Sequence, residues 1–224
     1  MPEAALISAD PTAQLPAILL LALVGALVGL GSDRLAARWP AHPDGHVRPI
    51  DWRTAALVGG AVIAFGALPL RWQEPRDLLI LALWFGVLVV LAGTDLDQRL
   101  LPDLITLPLI PIVLLLVLSG WAPLLADKSQ PLLSAVVAGI GAPLFLVLTS
   151  AIFRGGLAAG DVKLAVSLGL MSGVVRLVGG FLIASLGGAV ILLVLLATRR
   201  IGRRTYIPFG PILIAGGICA AFVG

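Results

Sequence analysis

Two short runs of ionisable residues interrupt a very apolar sequence, and each places an aspartate beside an apolar stretch. In residues 94–103, Asp95 follows seventeen charge-free residues; in residues 155–164, Asp161 stands between small residues and another apolar run. Two carboxylates that face each other can share one proton, because like charges about 3 Å apart do not both ionise readily. Such a pair can act as general base on water and general acid on a carbonyl oxygen, which is chemistry suited to peptide hydrolysis.

Each of these charged residues also has a purely structural interpretation. Asp103 directly precedes an apolar run and could cap a helix, because aspartate is a favoured N-cap residue. Asp97 could pair with Arg99 or be hydrated, and Asp161 could form a local ion pair with Lys163. At the level of the residues alone, these alternatives stay open.

Other catalytic machinery has little support in the sequence. The single cysteine, Cys219, excludes a disulfide framework and a cysteine-based zinc cluster. The sequence contains no G-x-S-x-G, H-E-x-x-H or P-loop motif. Carboxylate chemistry is therefore the leading hypothesis.

The composition determines which elements can position the two aspartates. Hydrophobic residues make up 59% of the 224 residues and charged residues 12%, with a mean hydropathy of +1.09. Soluble proteins average roughly 45–50% apolar and 25% charged residues, so a soluble globular chain is excluded. The net charge of +3 resides in short loops between apolar runs, which indicates membrane topology and no nucleic-acid partner.

Charge-free runs predict an all-α fold, a polytopic membrane protein with about eight transmembrane helices in a single domain over residues 1–224. The predicted spans are residues 15–31, 54–70, 78–94, 104–120, 132–153, 157–175, 177–198 and 208–224. The span 157–175 is included although Asp161 and Lys163 lie in its first third. The first run lacks the features of a cleaved signal and is expected to be a retained helix.

The basic residues predict the orientation of these spans. Eleven of them fall in alternate loops on one side: Arg34, Arg38, Arg48, Arg53, Arg99, Arg154, Lys163, Arg199, Arg200, Arg203 and Arg204. The other four are Arg71, Arg76, Lys128 and Arg176. The positive-inside bias places the larger set in the cytoplasm and both termini outside.

The predicted loop of residues 32–53 contains three prolines and both histidines, His42 and His46. Prolines at this density argue against a folded extra domain. The histidines have the i, i+4 spacing of a helical metal site, but Pro43 lies between them, so no metal site is expected.

Several motifs occur together along the chain. The runs D-L-D-Q-R-L-L-P-D (residues 95–103), G-D-V-K-L (160–164) and I-P-F-G-P (207–211) are similar to motifs of the type IV prepilin peptidases. They correspond to the first aspartate motif, the G-x-G-D-x-K-L motif and the opening of the last helix. Residues 25–29 and 33–40 are similar to the family's first span and its H-R-L-P-like exit. The resemblance covers nearly the whole chain. The motifs together indicate this family, whereas no single motif would be sufficient.

The resemblance implies that Asp95 and Asp161 are the catalytic pair of a membrane aspartyl endopeptidase that needs no metal and no cofactor. Gly160 would permit close approach at the active site. The implied supporting or substrate-binding residues are Lys163, Asp103, Asp97, Pro208 and Gly210.

The implied substrate is a prepilin or pseudopilin precursor, which is cleaved after a glycine that ends its short basic leader. The implied location is the bacterial inner membrane, with lipid around the helices and the active site facing the cytoplasm. This orientation agrees with the one that the basic residues predict.

The chain departs from the family pattern in two places. Ala158 occupies the position of the first glycine in G-x-G-D, and activity is expected to survive this change. Many bacterial members carry a cysteine-rich, zinc-site-like insertion after the first helix and are credited with N-methylation. Here the short cytoplasmic loop 32–53 replaces that insertion and has no cysteine, so no zinc site is expected, and the resemblance leaves methyl transfer open.

Three alternative functions use the same residues differently. A proton-coupled secondary transporter could relay protons through membrane carboxylates, and would place them near the bilayer midplane. A non-catalytic membrane scaffold would use the charges as caps and surface pairs. An unrelated intramembrane aspartyl protease would place its scissile bond deeper in the membrane.

Overall fold

The computed structural model describes residues 11–40, 47–126, 129–153, 158–198 and 209–224, and these residues are almost entirely helical. The helices are α1 (Pro11–Ala36), α2 (Trp52–Arg71), α3 (Pro75–Gln98), α4 (Asp103–Leu118), α5 (Pro131–Phe153), α6 (Ala159–Ala197) and α7 (Gly210–Cys219). Short 3₁₀ helices follow α4 and α7, at Pro123–Leu125 and Ala220–Phe222. The described ranges contain no β-strand, so the predicted all-α class is confirmed for them.

Five of these helices are long and apolar enough to cross a membrane, namely α1, α2, α3, α5 and α6. The helices α4 and α7 are apolar but shorter. The outer face of α1 carries exposed Leu19, Leu23 and Leu27, a surface suited to lipid. The chain is an integral membrane protein, while the expected count of about eight spans stays a prediction.

Helix α6 contains a sharp break at Gly173, whose φ of 66° and ψ of 179° lie outside the helical region. Left-handed φ favours glycine, and a Cβ at this position would lie 2.6 Å from the Ser134 hydroxyl oxygen. That hydroxyl accepts a hydrogen bond of 3.1 Å from the Val174 amide, directly after the break. The break divides α6 into residues 159–172, called α6N here, and residues 174–197, called α6C.

The chain reverses direction between α6N and α6C. Along α6N, Gly169 packs against the backbone of α5, whereas along α6C, Gly180 packs against the backbone near Gly216 and Gly188 faces Ile212. The two predicted spans 157–175 and 177–198 correspond to α6N and α6C, and the division lies at Gly173 instead of Arg176. The prediction that Arg176 lies in a loop is wrong, since this residue is helical and buried in α6C.

Two glycines bring α1 close to α2. A Cβ at Gly25 would lie 2.5 Å from the Ala61 carbonyl oxygen, and one at Gly29 would lie 2.8 Å from the Val58 Cα. Small residues four apart permit such close packing of membrane helices. Helix α1 continues to Ala36, so the predicted loop 32–53 begins later than the charge pattern indicated.

Helix α7 packs between α3 and α6N. A Cβ at Gly217 would lie 2.3 Å from a Leu168 methyl carbon and 3.3 Å from a Leu88 methyl carbon. Both leucines are fully buried, as are Phe65 and Phe85, whose rings meet edge to face at 6.0 Å. This packing places the C-terminal end of α3, the start of α6N and the start of α7 at one end of the bundle.

Candidate active site

Asp95 lies in the last turn of α3, where only 5% of its surface is exposed. One carboxylate oxygen, Oδ2, is buried without a hydrogen-bond partner among the described residues. A buried carboxylate oxygen is normally satisfied by a hydrogen-bond donor, so this oxygen is suited to receive a proton, a water molecule or a substrate group. Helix α3 ends just beyond it at Arg99, whose left-handed φ of 56° turns the chain towards α4.

Asp161 lies in the first turn of α6N and is 7% exposed. It is the third residue after the N-cap Ala158, whose side chain makes no capping hydrogen bond. The backbone N–H of Ala158 donates to the Asp161 carboxylate, and the Asp161 N–H donates to the Ala158 carbonyl oxygen at 3.1 Å. An acidic side chain at this position therefore caps the helix, and the helix N-terminus favours negative charge there.

Ala158 adopts an extended conformation, with φ −76° and ψ 141°. Any residue adopts these angles, so the backbone before Asp161 does not require the glycine of the G-x-G-D pattern. The expectation that this departure is tolerated is consistent with the local geometry.

The structure brings Asp95 and Asp161 to the same end of the bundle. They are close enough for the charge of Asp161 to act directly on the Asp95 carboxyl, and Arg99 also acts on it. Gly210, the first residue of α7, approaches from a third side, since a Cβ there would lie 2.5 Å from Asp95 Oδ2. A residue with a side chain at position 210 would occupy the space next to the Asp95 carboxylate, and glycine leaves this space open.

Two contacts join the start of α6N to the start of α4. A Cβ at Gly160 would lie 2.7 Å from the Leu101 Cβ, so this glycine lets the start of α6N pack closely against the chain before α4, while its role at the active site stays a prediction. The Lys163 Nζ lies 2.6 Å from Asp103 Oδ1. Asp103 is the first residue of α4, not its N-cap, because Pro102 occupies the cap position.

The side chain of Asp97 contacts different residues from that of Asp95. Its Oδ1 lies 2.6 Å from the Arg48 Nε and 3.1 Å from an Arg53 nitrogen, and its side chain is 2% exposed. Residues two apart differ by about 200° around a helix, so the two aspartates point to nearly opposite sides of α3. The structure thus places Asp97 beside the segment between α1 and α2.

Arg48 is a residue that the sequence analysis counted only for topology. Its guanidinium contacts three carboxylates, those of Asp33 at the end of α1, Asp51 at the N-cap of α2, and Asp97. We call these four residues the Arg48 cluster. The three aspartates lie 15, 3 and 49 positions from Arg48 in the sequence, and no local motif predicts contacts with this spacing. The available signal was the presence of Asp33 and Asp51 beside apolar runs, where an acid needs a partner.

The charges of the Arg48 cluster stabilise one another. Burial alone would lower the pKa of Arg48, but hydrogen bonds to Asp33 and Asp51 and the nearby Asp97 raise it above its ordinary value. Burial alone would raise the pKa of Asp51, but the Arg53 N–H and the Arg48 guanidinium lower it. Asp51 also accepts from Arg53 N at 2.9 Å and forms a capping box with Thr54, which fixes the start of α2.

A cavity of about 410 Å³ opens beside Asp95. It is lined by Trp52, Arg53, Asp95, Leu96, Asp97, Gln98 and Arg99. Asp95 therefore borders an opening at this end of the bundle, while its Oδ2 is itself buried. A second cavity, of about 320 Å³, lies near Ser134 and Val174, at the other end of α6N, and has no ionisable group in its lining.

Some predicted residues lie outside the described part of the chain. Pro208 and both histidines, His42 and His46, are among them. Within the described ranges, no group of three or more histidine, cysteine, aspartate or glutamate side chains could hold a metal ion. The expectation of a metal-free site stays a prediction.

Comparison with known proteins finds a consistent similarity. Residues 78–193, which include both Asp95 and Asp161, match the model of the type IV leader peptidase family. A protein of Dickeya chrysanthemi is 34% identical over 176 residues, covering 75% of this chain and 59% of its own. Proteins of Bacillus subtilis and Pseudomonas putida are 30% and 31% identical, covering 80% and 94% of this chain and 69% and 67% of their own.

All three relatives carry the name prepilin leader peptidase/N-methyltransferase. The chain spans 59% of the length of the Dickeya chrysanthemi relative. No solved structure matches the chain significantly.

Proposed function

Because the chain belongs to the type IV leader peptidase family, we propose that it is a membrane aspartyl endopeptidase with Asp95 and Asp161 as its catalytic pair. The proposed substrates are prepilin or pseudopilin precursors, cleaved at the end of the basic leader. The proposed unit is one membrane-embedded peptidase domain over residues 1–224, in which Gly160, Lys163, Asp103, Asp97, Pro208 and Gly210 support the site.

The unpartnered oxygen of Asp95 carries this proposal. Asp95 Oδ2 is buried without a donor among the described residues, the Asp95 carboxyl lies within electrostatic reach of Asp161, and the residue borders a cavity at the end of the bundle. A structural aspartate at this depth would be expected to have its oxygens satisfied by the protein. An oxygen left open beside a second carboxylate is suited to bind the attacking water.

The reaction that the pair can perform is general acid–base hydrolysis. One carboxylate removes a proton from a water molecule as that water attacks the scissile carbonyl carbon, while the other carboxyl donates a proton to the carbonyl oxygen. The tetrahedral intermediate then collapses, the C–N bond breaks, and the departing nitrogen takes up a proton. The two carboxyls titrate as one coupled unit, so their roles belong to the pair.

The distribution of basic residues supports a cytoplasmic site in the bacterial inner membrane. The end of the bundle that holds Asp95 also holds Arg48, Arg53 and Arg99, which belong to the set that the positive-inside bias assigns to the cytoplasm. Arg71 and Arg176 lie beside Trp72, at the other end of α2. A basic leader in the cytoplasm could then approach Asp95 from its own compartment.

The transporter alternative has less support. The two aspartates lie at helix ends, Asp95 in the last turn of α3 and Asp161 in the first turn of α6N, and not in the middle of a span.

The names of the relatives also include N-methyltransferase. We propose the peptidase activity and make no proposal on methyl transfer for this chain, whose loop 32–53 is short and has no cysteine.

The test is cleavage of a purified prepilin by the full chain in lipid nanodiscs. We expect Asp95→Asn and Asp161→Asn each to reduce kcat/KM by at least about 1000-fold, and the double variant to be no worse than either single variant. Correct insertion is checked by size-exclusion chromatography and helical circular dichroism. Normal processing by either single variant, at equal folding, would refute the catalytic assignment.

A further inference from the structure

The last turn of α3 is held from two sides. Asp95 faces Gly210 of α7, whereas Asp97 faces Arg48 and Arg53. The Gln98 side-chain amide donates to the Pro40 carbonyl oxygen at 2.6 Å, on the segment that follows α1. The rotation of this turn about the helix axis is therefore fixed by contacts on the side away from Asp95.

Arg48 connects the last turn of α3 to the end of α1 and to the start of α2. Its side chain is only 10% exposed, and it contacts Asp33, Asp51 at 2.5 Å and Asp97 at 2.6 Å. Without Arg48, Asp97 would lose its shorter ion pair and keep the longer 3.1 Å contact to Arg53, and a buried charge that loses a partner tends to move towards water or another partner. For Asp97, the available movement is rotation or unwinding of the last turn of α3, since Arg99 already ends the helix two residues later.

Such a movement would reach Asp95 directly. The two residues share one helical turn, so a rotation that takes Asp97 outwards carries Asp95 away from Gly210 and from Asp161. A displacement of about 1 Å in a catalytic group can reduce turnover by roughly 100-fold.

We propose that Arg48 is a positioning residue: by holding Asp97, it fixes the last turn of α3 in the rotation that directs Asp95 to its partner carboxylate. This inference rests on the peptidase function proposed above. Arg48 does not border the cavity beside Asp95, so it acts through Asp97 and not on the substrate.

The experiment compares Arg48→Met, Asp97→Asn and their double variant with Arg34→Met as matched control. Arg34 lies beside the cluster on the α1 side, where its side chain bonds Asp33 and the Arg48 carbonyl oxygen and approaches Thr54. We expect Arg48→Met and Asp97→Asn to lower kcat about 10- to 100-fold with KM changed less than about twofold, whereas Arg34→Met keeps kcat within about twofold. The double variant should be no worse than the more damaged single variant, because both changes break one connection.

A second readout does not depend on activity. Amide hydrogen exchange of residues 93–98 should be at least about tenfold faster in Arg48→Met than in Arg34→Met, with exchange in α5 unchanged. Arg48→Lys keeps the charge but reaches fewer carboxylates at once, so it should give intermediate values and remain measurable if Arg48→Met does not fold.

The outcomes separate this inference from the proposed function. If wild-type protein cleaves prepilin while Arg48→Met keeps full kcat, or if the two variants act additively, the positioning role is wrong and the peptidase stands. If wild-type protein cleaves no prepilin, the proposed function fails, and the exchange measurement alone decides whether Arg48 holds the last turn of α3. Equal exchange in the Arg48 and Arg34 variants would overturn the inference in either case.

Discussion

Helix α3 carries one buried aspartate in its first turn and another in its last turn, and their surroundings differ. Asp77 is 8% exposed, and its Oδ1 accepts hydrogen bonds of 3.1 Å and 3.0 Å from the Arg76 guanidinium. Asp95 is 5% exposed, and its Oδ2 has no donor among the described residues. Burial is similar at both ends of α3, so burial does not distinguish these two carboxylates. The difference between them is the buried Oδ2 of Asp95 that has no donor among the described residues.

The strongest test of this contrast exchanges each carboxylate for an amide and measures activity and stability together. Asp95→Asn should abolish cleavage, by at least about 1000-fold, while changing the free energy of unfolding by less than about 1 kcal/mol, because no hydrogen bond to Oδ2 is lost. Asp77→Asn should keep kcat/KM within about threefold and reduce stability by about 1 kcal/mol, through the lost ion pair and helix-dipole interaction. Cleavage assays and urea unfolding in nanodiscs measure both. A pattern in which Asp77→Asn is the inactive variant would reverse the assignment of the two ends.

The next test fills the space beside the open oxygen. Gly210→Ala adds a methyl group where a Cβ would lie 2.5 Å from Asp95 Oδ2, so the carboxylate or the start of α7 must shift. We expect kcat to fall roughly 100-fold, as a displacement of about 1 Å can cause. Gly86→Ala is the matched control, because Gly86 lies on α3 itself and a Cβ there meets nothing within 4 Å. Equal activity of the two variants would show that Gly210 does not limit the geometry at Asp95.

The ion pair between α4 and α6N should matter less. The Lys163 side chain is 27% exposed and that of Asp103 is 60% exposed, and such exposed pairs contribute about 0.2–1 kcal/mol. We expect Lys163→Met and Asp103→Asn each to reduce kcat/KM about two- to fivefold, with the double variant equal to either single variant. This test also shows whether Lys163 acts through Asp103 or through Asp161. A loss above about 100-fold for Lys163→Met alone would mean that the lysine acts on Asp161, as the local-pair interpretation of the sequence allowed.

The sequence was sufficient to predict the fold class and to single out two aspartates that the structure brings to one end of the bundle, for different physical reasons. Apolar composition specifies membrane helices because the backbone in lipid must satisfy its own hydrogen bonds. Asp95 and Asp161 stand out because each interrupts an apolar run, and an ionisable residue there is costly. Their proximity in the structure follows from the packing of α7 between α3 and α6N, which depends on Gly217 and its neighbours.

Two features could not be predicted from local patterns. The first is the exact place of the reversal: the charge pattern put the boundary between the two spans at Arg176, whereas the need for a left-handed φ at Gly173 is visible only once Ser134 and Val174 are placed together. The Arg48 cluster joins residues as far as 49 positions apart, so its charges looked like ordinary loop charges in the sequence. Similarly, Asp103 looked like a helix cap, and only the placement of Pro102 and Lys163 gives it another role.

The smallest expected effect concerns the pH dependence of the Arg48 cluster. The folded pKa of Asp51 is lowered relative to the unfolded value of about 3.9, so its ionised form stabilises the fold above pH 4. This contribution is lost as the pH falls through the folded pKa. Asp51→Asn is an informative variant, because asparagine caps a helix as well as aspartate and removes only the ionisation. We expect its apparent melting temperature to lie about 2 °C below that of the wild-type protein between pH 5 and 7, with the difference vanishing below about pH 3. A difference that persists at pH 3 would mean that the side chain contributes through shape or hydrogen bonding, and that its charge is not what joins α2 to Arg48.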